Sequence, residues 1–351
     1  MEKLRFKPDP ATGKLSEKDT KRYFSTVGLA VFVYMLAIYL SSIAISVLFG
    51  KFFPSLLANA IVSYLISAVC QYGISLPLCL LILCRLPKDT NPSEPIGGGR
   101  LIGGLCVAFT FMSIGNSVGQ LIIMLLETGL GRTLINPVAS STMGTHWVVN
   151  LVFVAILTPV MEELIFRKII CDRLLPLGEG YAVVISALIF GLAHGNFYQF
   201  FYAFLLGLLF AYIYVKTGRI RYSIGYHVLI NGLGSVFVPW VLEKTEPILN
   251  EEMIQRMSEV LESQDPATME ALYSDLLPYM GPVLAFSAYE MIFFVASAAG
   301  IFVLMTKIRK IKFREGLLSP PKEGRIANIF CNVGVAAAIT LFAGIFLLSL
   351  L

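Results

Sequence analysis

The 351-residue sequence has few charged residues. Asp, Glu, Lys and Arg make up 14% of it, against about 25% in a typical soluble domain. Hydrophobic residues make up 56%. Apolar runs of about 20 residues, long enough to cross a bilayer as helices, recur from residue 25 to residue 351. This composition excludes a water-soluble domain, and we predict an all-α, polytopic transmembrane helix bundle with about eight to nine membrane helices.

Signals for several other classes of protein are missing as well. The six cysteines form no CxxC pair and have no spacing that suggests a zinc site, and the HExxH motif of many zinc proteases is absent. The basic first 22 residues lack the apolar core and cleavage site of a signal peptide. The net charge of +4 gives no indication of nucleic-acid binding. The lack of an N-glycosylation sequon or a retention signal favours a bacterial cell membrane.

The apolar runs predict nine membrane helices. They cover residues 25–50, 57–84, 101–126, 146–166, 181–197, 198–216, 222–242, 282–306 and 327–351. Lys and Arg concentrate on alternate connections, the one after residue 166 included, which places the N-terminus in the cytoplasm.

On this topology the chain divides into five parts. They are a basic cytoplasmic segment (1–24), the first helices (25–144), a core (145–242), an acidic non-cytoplasmic insertion (243–281) and the last helices (282–351). Within the insertion, Ile254, Met257, Val260 and Leu261 have helical spacing, which predicts an amphipathic helix outside the membrane. The insertion is interpreted as a solvated connector, with a substrate-gating cap as the alternative.

Ionisable residues inside apolar runs are costly and indicate functional sites. Glu162 and Glu163 lie near the end of the fourth run, followed by Arg167. Glu163 and Arg167 are four residues apart and share a helix face, which predicts an ion pair. Glu162 points about 100° away, so it is free to face another helix and act as a general base. The alternative is an ordinary helix end among lipid headgroups.

Two of the three histidines lie within the fifth and seventh apolar runs, and the third, His146, is the first residue of the fourth run. His194 has Ala193 and Gly195 beside it, small residues that let another helix approach closely; a packing role and a catalytic role are equally compatible with this. His227 and Asn231 are four residues apart and share a face. They could ligate a metal, donate two hydrogen bonds to an oxyanion, or join two helices.

Two further residues carry weaker signals. His146 precedes Trp147 at a membrane boundary, where an interfacial anchor is expected. Glu290 lies inside the eighth run without an evident partner, so a structural role and a substrate contact both stay open. The depths of the main candidates also disagree. With helices ending at 166 and starting at 181, His194 lies about 21 Å from the cytoplasmic flank and Glu162 about 9 Å, so the fifth helix must tilt or begin later.

Taken together, these residues resemble the motifs of a known family. The sequence contains Glu162-Glu163-x-x-x-Arg167, then Phe190-x-x-x-His194, then His227-x-x-x-Asn231. In this order and on successive apolar helices they resemble the three motifs of the CAAX protease and bacteriocin-processing family (CPBP, also called Abi), over roughly residues 145–240. One such motif is weak evidence, but three in order are a strong signal.

The resemblance implies an intramembrane endopeptidase related to the type II CAAX prenyl endopeptidases. Glu162 and His194 would activate the attacking water, and His227 and Asn231 would stabilise the oxyanion. Glu163 and Arg167 would support the site structurally. Because the family is labelled a metalloprotease family, a divalent metal such as zinc at Glu162, His194 and His227 is also possible.

The implied partners are the lipid bilayer and a membrane-embedded or lipidated peptide or protein substrate. Two other classes of function stay open. One is a transporter that binds its cargo near the bilayer midplane, which would predict inverted internal repeats. The other is a noncatalytic immunity or scaffold protein with the same fold.

Overall fold

The computed structural model describes residues 4–91 and 93–351, and those residues form helices and connections without a β-strand. Nine helices of this part of the chain build the bundle. They are α1 (Glu17–Phe52), α2 (Ala60–Leu83), α3 (Gly98–Leu130), α4 (Trp147–Leu177), α5 (Glu179–Ala193), α6 (Phe197–Thr217), α7 (Ile220–Ile248), α8 (Pro266–Lys310) and α9 (Val333–Leu348). Seven are long and apolar enough to cross a membrane, whereas α5 and α9 are shorter. The predicted all-α membrane bundle is confirmed.

The ends of α4 and α5 differ from the prediction. Residue 166 does not end a helix, because α4 continues to Leu177, with π-helical geometry over Leu164–Cys171, and α5 begins at Glu179. Gly178 joins them with φ +130°, a backbone conformation that favours glycine.

This longer hairpin removes the predicted disagreement in depth. Arg167, Lys168 and Arg173 lie inside α4, so the sequence-based assignment of these three cations to a cytoplasmic loop after residue 166 was wrong. Glu162 lies fifteen residues before Leu177, and His194 lies fifteen residues after Glu179. The two side chains are therefore at similar depth on neighbouring antiparallel helices.

The helices on both sides of the acidic segment are longer than the predicted spans 222–242 and 282–306, because α7 extends to Ile248 and α8 begins at Pro266. A separate helix, Glu251–Ser263, lies between them, with Asn250 as its N-cap. It contains the four apolar residues at helical spacing, and Val260 is buried.

One end of the bundle, which we call the N-terminal end, is held together by three segments. The segment 4–15 bonds to the end of α2 through Leu4 N–H and the Arg85 carbonyl (3.0 Å). In the loop after α2, Asp89 N–H donates to the Asp172 carbonyl of α4 (2.8 Å). The loop after α8 bonds to the α4–α5 turn through Leu318 N–H and the Pro176 carbonyl (2.8 Å).

The other end, which we call the far end, is linked by side chains. The Tyr64 hydroxyl of α2 donates to the Ser141 carbonyl (3.1 Å), and the Tyr198 hydroxyl of α6 donates to the Leu134 carbonyl (2.8 Å). Both carbonyls belong to the α3–α4 connection, which includes the short helix Pro137–Thr142. These links place the connection over the starts of α2 and α6.

Close helix contacts depend on glycine at a few positions. A Cβ atom on Gly115 of α3 would lie 2.3 Å from the Tyr202 Cα of α6. This is shorter than any real carbon contact, and the atom it meets is backbone. The α3–α6 contact therefore requires glycine at position 115.

We predict that Gly115→Ala lowers the thermal unfolding midpoint of the purified protein in detergent. The added methyl group must push α3 and α6 apart, and overpacking of this kind costs about 1–3 kcal/mol. Gly129→Ala, later in the same helix, is the control, because nothing lies within 4 Å of its Cβ position. Equal midpoints for the two variants would show that α3 and α6 do not pack at Gly115.

Candidate active site

The predicted site residues line one cavity of about 540 Å³. Glu162 comes from α4, His194 from the end of α5, and His227 and Asn231 from α7. Helices α2, α3 and α6 and the α3–α4 connection complete the wall. Three motifs that are separate in the sequence therefore face the same space.

Beneath the cavity lies a buried ion pair. The predicted pair is present: Arg167 Nε donates to Glu163 Oε2 at 3.1 Å, and both side chains are 0% exposed. Arg167 Nη1 donates to the Ser186 hydroxyl of α5 (3.2 Å), and the guanidinium lies over the Phe190 ring, 4.8 Å from its centroid. A buried charge requires such compensation, and here it comes from both α4 and α5.

Glu163 also orients His227. The Nδ1 atom of His227 lies 3.1 Å from Glu163 Oε1, and because a carboxylate only accepts, Nδ1 carries the hydrogen. The ring packs against Phe190 and Phe210, with centroids 5.6 and 5.3 Å away. These contacts leave Nε2 as the nitrogen directed at Glu162, whose Oε2 is 3.6 Å away.

The two adjacent glutamates occupy different environments, as their offset around the helix predicts. The Glu162 side chain is 19% exposed, whereas that of Glu163 is fully buried. Among the described residues, the one ion-pair partner of Glu162 is His227. Glu162 is thus the carboxylate that faces the cavity.

His194 lies at the end of α5 and has one nitrogen occupied. Its Nδ1 is 2.8 Å from the Phe190 carbonyl, which can only accept, so Nδ1 donates and Nε2 carries the lone pair. Gly195 follows with φ +67°, and Asn196 then caps α6 by accepting from Gln199 N–H. This tight turn fixes where the imidazole meets the cavity.

Asn231 lies one turn after His227, on the same face of α7. Its Nδ2 donates to the Val154 carbonyl of α4 at 3.1 Å. That carbonyl precedes Pro159 on α4, within a π-helical stretch, Asn150–Leu157. An amide nitrogen has two hydrogens, so one remains for a ligand in the cavity.

The three candidate metal ligands, Glu162, His194 and His227, are not arranged as a zinc site. A zinc ion requires three or four donors at about 2.0–2.3 Å. Within the described residues, no three His, Cys, Asp or Glu side chains gather closely enough to form such a group. The set Glu162, His194 and His227, at which the family resemblance allows a divalent metal, therefore does not fit a zinc ion in this arrangement.

Sequence reasoning missed several polar residues of the cavity wall. They are amide side chains on helices that were predicted from apolar runs: Gln71 on α2, Asn116 and Gln120 on α3, and Gln199 on α6. Polar amides are uncommon on membrane helices and usually bond to a neighbouring helix. A search for amides as well as ionisable groups would have found them.

Glu290 and His146 lie away from these residues. Glu290 is exposed on α8 and is not part of the cavity wall. His146 caps α4, where its Nδ1 accepts from Val148 N–H at 3.3 Å. Neither residue is a candidate for the chemistry of the site.

A membrane bundle that directs a carboxylate, two imidazoles and an amide into one cavity is the architecture of an intramembrane enzyme. Comparison with known proteins agrees. Residues 144–233, which hold Glu162, His194, His227 and Asn231, match the model of the family described as "Type II CAAX prenyl endopeptidase Rce1-like".

Two bacterial proteins are similar to the chain. The "Putative membrane peptidase YdiL" of Bacillus subtilis (strain 168) is 30% identical over 189 residues, which are 52% of this chain and 73% of that protein. The "Membrane-embedded CAAX protease MroQ" of Staphylococcus aureus (strain USA300) is 33% identical over 114 residues, 30% of this chain and 42% of that protein. No solved structure matches. The chain belongs to the Rce1-like (CPBP) family of CAAX-type membrane proteases.

We predict that Glu163→Gln destabilises the folded protein by about 3–5 kcal/mol, because Arg167 would keep its buried charge without a counter-charge. The two side chains have the same shape, so the change tests charge rather than packing. The readout is the thermal unfolding midpoint in detergent.

The control for this prediction is an ion pair at the surface. Arg256 Nη2 and Asp275 Oδ2 are 2.7 Å apart, and their side chains are 44% and 48% exposed. Asp275→Asn is expected to change stability by about 0–1 kcal/mol. If Glu163→Gln behaves like Asp275→Asn, the pair beneath the cavity does not support the fold.

Proposed function

We propose that the protein is an intramembrane endopeptidase that hydrolyses a peptide bond of a membrane-associated peptide or protein, with Glu162 as the general base. One observation carries this proposal: Glu162 Oε2 faces His227 Nε2 at 3.6 Å in a cavity that His194 and Asn231 also line. A separation of this size is longer than a hydrogen bond. It leaves the carboxylate oxygen and the imidazole accessible to reacting groups.

Peptide hydrolysis first requires a base that removes a proton from water. Glu162 is suited to this role because no lysine or arginine among the described residues forms an ion pair with it. His194 supports it with the lone pair of Nε2, its other nitrogen being held by the Phe190 carbonyl. The water would attack the carbonyl carbon from the Glu162 side.

The attack creates a negative oxygen, which requires hydrogen-bond donors fixed in advance. A protonated His227 has donors at both nitrogens: Nδ1 bonds to Glu163, and Nε2 is free for the oxyanion. The second hydrogen of Asn231 Nδ2 would be the other donor. Val154 fixes the orientation of that amide.

The tetrahedral intermediate then breaks at the C–N bond, and the leaving amine requires a proton. Glu162 would return the proton it took from water, so that the base of the first step becomes the acid of the second. The products are a carboxylic acid and an amine, which then exchange a proton with each other. No serine or cysteine nucleophile takes part.

The size and lining of the cavity fit a peptide. The amide groups of Gln71, Asn116 and Gln120 could bond to peptide N–H and C=O groups. A peptide backbone in the membrane needs such partners because lipid offers none.

We predict that Glu162→Gln, His194→Ala and His227→Ala each abolish cleavage while the protein stays folded in the membrane. Removing a general base costs about 10²–10⁴-fold in rate. Asn231→Ala should slow cleavage by about 10²–10³-fold, the typical effect of losing one oxyanion donor. Purified variants are incubated with membrane lysates or lipidated peptides, and new peptide termini are read by mass spectrometry.

Glu290→Gln is the matched control, because it neutralises another carboxylate on a membrane helix outside the cavity wall. It should cleave at the wild-type rate. Full turnover by the Glu162→Gln variant would contradict the proposal and return the transporter and scaffold functions to consideration.

We also predict that a strong chelator leaves the cleavage rate unchanged. The donors Glu162, His194 and His227 do not gather at metal-binding spacing, and a glutamate-activated water requires no resident metal. The test compares rates before and after dialysis against the chelator. Loss of activity that zinc restores would show instead that the three side chains converge on a metal.

A further inference from the structure

The cavity reaches one end of the bundle and not the other. Its wall includes the α3–α4 connection at the far end, where Ser141 is exposed. The residues of α4 that line the cavity lie between Phe153 and Glu162, and those of α6 lie between Tyr198 and Leu206. In both helices, this is the part nearer the far end.

The N-terminal end is closed below the site. Beyond Glu163, nearly every residue of α4 that faces the bundle is buried, as are Leu175, Pro176 and Leu177 of the last turn. The loops after α2 and α8 bond to this part of α4, and segment 4–15 bonds to both of those loops. Lys216 and Arg314 both bond to Glu179 at the start of α5, which joins α6 and the loop after α8 to the same place.

The distribution of basic residues relates these two ends to the faces of the membrane. The chain has 27 lysines and arginines. Of those that the structure describes, Lys51, Arg132, Lys244 and Arg256 lie at the far end, Arg167 is buried, and the remaining ones lie at or near the N-terminal end. Basic residues concentrate on the cytoplasmic side, so the N-terminal end faces the cytoplasm.

From these observations we propose that the active site takes its substrate from the extracytoplasmic face, as a membrane-anchored peptide segment exposed on that side. The inference rests on the proposed function. The inference excludes the lipidated C-terminus of a cytoplasmic protein as the substrate, because segment 4–15 and the loops after α2 and α8 lie between the cytoplasm and Glu162. The class of reaction that supplies the substrate is therefore membrane insertion or export of a peptide.

The side of access is tested by cysteine labelling. The cysteines that are not buried, Cys84, Cys106 and Cys331, are first replaced by alanine. Three reporters are then introduced one at a time: Ser141→Cys at the rim of the cavity, Asn116→Cys in its wall, and Glu323→Cys at the N-terminal end. Spheroplasts of an expressing bacterium are treated with a charged maleimide that does not cross membranes.

We expect the maleimide to label the Ser141→Cys and Asn116→Cys variants in intact spheroplasts as fully as in opened ones. The Glu323→Cys variant should be labelled only after the spheroplasts have been opened. Labelling of Glu323→Cys in intact spheroplasts, or of Asn116→Cys after opening alone, would overturn the inference. The labelling of the three reporters does not depend on cleavage and should be the same when Glu162→Gln is added. The labelling result therefore tests the side of access separately from the proposed function.

Cleavage is then assigned to one face with a substrate peptide that carries a lipid anchor. The peptide is placed in the outer leaflet of spheroplasts or of inside-out membrane vesicles. We expect cleaved peptide to form in spheroplasts. In inside-out vesicles, the amount of cleaved peptide should be no higher than with the Glu162→Gln variant. Product from inside-out vesicles alone would overturn the inference.

Discussion

Glu163 and Arg167 form an ion pair that no water reaches, and the position of the site depends on it. Arg167 alone would be an unpaired charge inside the bundle, and its compensation by Glu163, Ser186 and Phe190 joins α4 to α5. The second oxygen of Glu163 accepts from His227 and so joins α4 to α7. One carboxylate thereby fixes three helices and sets which nitrogen of His227 faces the cavity.

The cavity is bounded by the same arrangement. The buried pair and the residues of α4 beyond it close the cavity on the side that faces the N-terminal end. At that end, loops bond to the ends of α2, α4 and α5. Glu162, one residue from the pair but on another face of α4, is left as the partly exposed carboxylate. The protein thus combines a dry, charged support with a cavity into which Glu162 and several amide side chains project.

Sequence reasoning selected Glu162, His194, His227 and Asn231 as candidates, and the structure brings these four side chains to one cavity. The selection was possible because the i, i+4 rule and the cost of buried charge act locally. Sequence reasoning misplaced the end of α4, because Arg167 and Lys168 have the composition of a helix end at the membrane surface. The groups that compensate Arg167 on α5 are distant in sequence, so no local pattern reveals them. The amides of the cavity wall were missed because they carry no charge and interrupt apolar runs only briefly.

The central claim is that Glu162, His194 and His227 act on one peptide bond. An experimental structure of the Glu162→Gln variant in lipid, with a substrate-derived peptide bound, tests it most directly. The account predicts the scissile carbonyl oxygen within about 3 Å of the His227 and Asn231 side chains, with its carbon facing position 162. A peptide bound outside the cavity, or His194 and His227 on opposite sides of the bound chain from position 162, would contradict it.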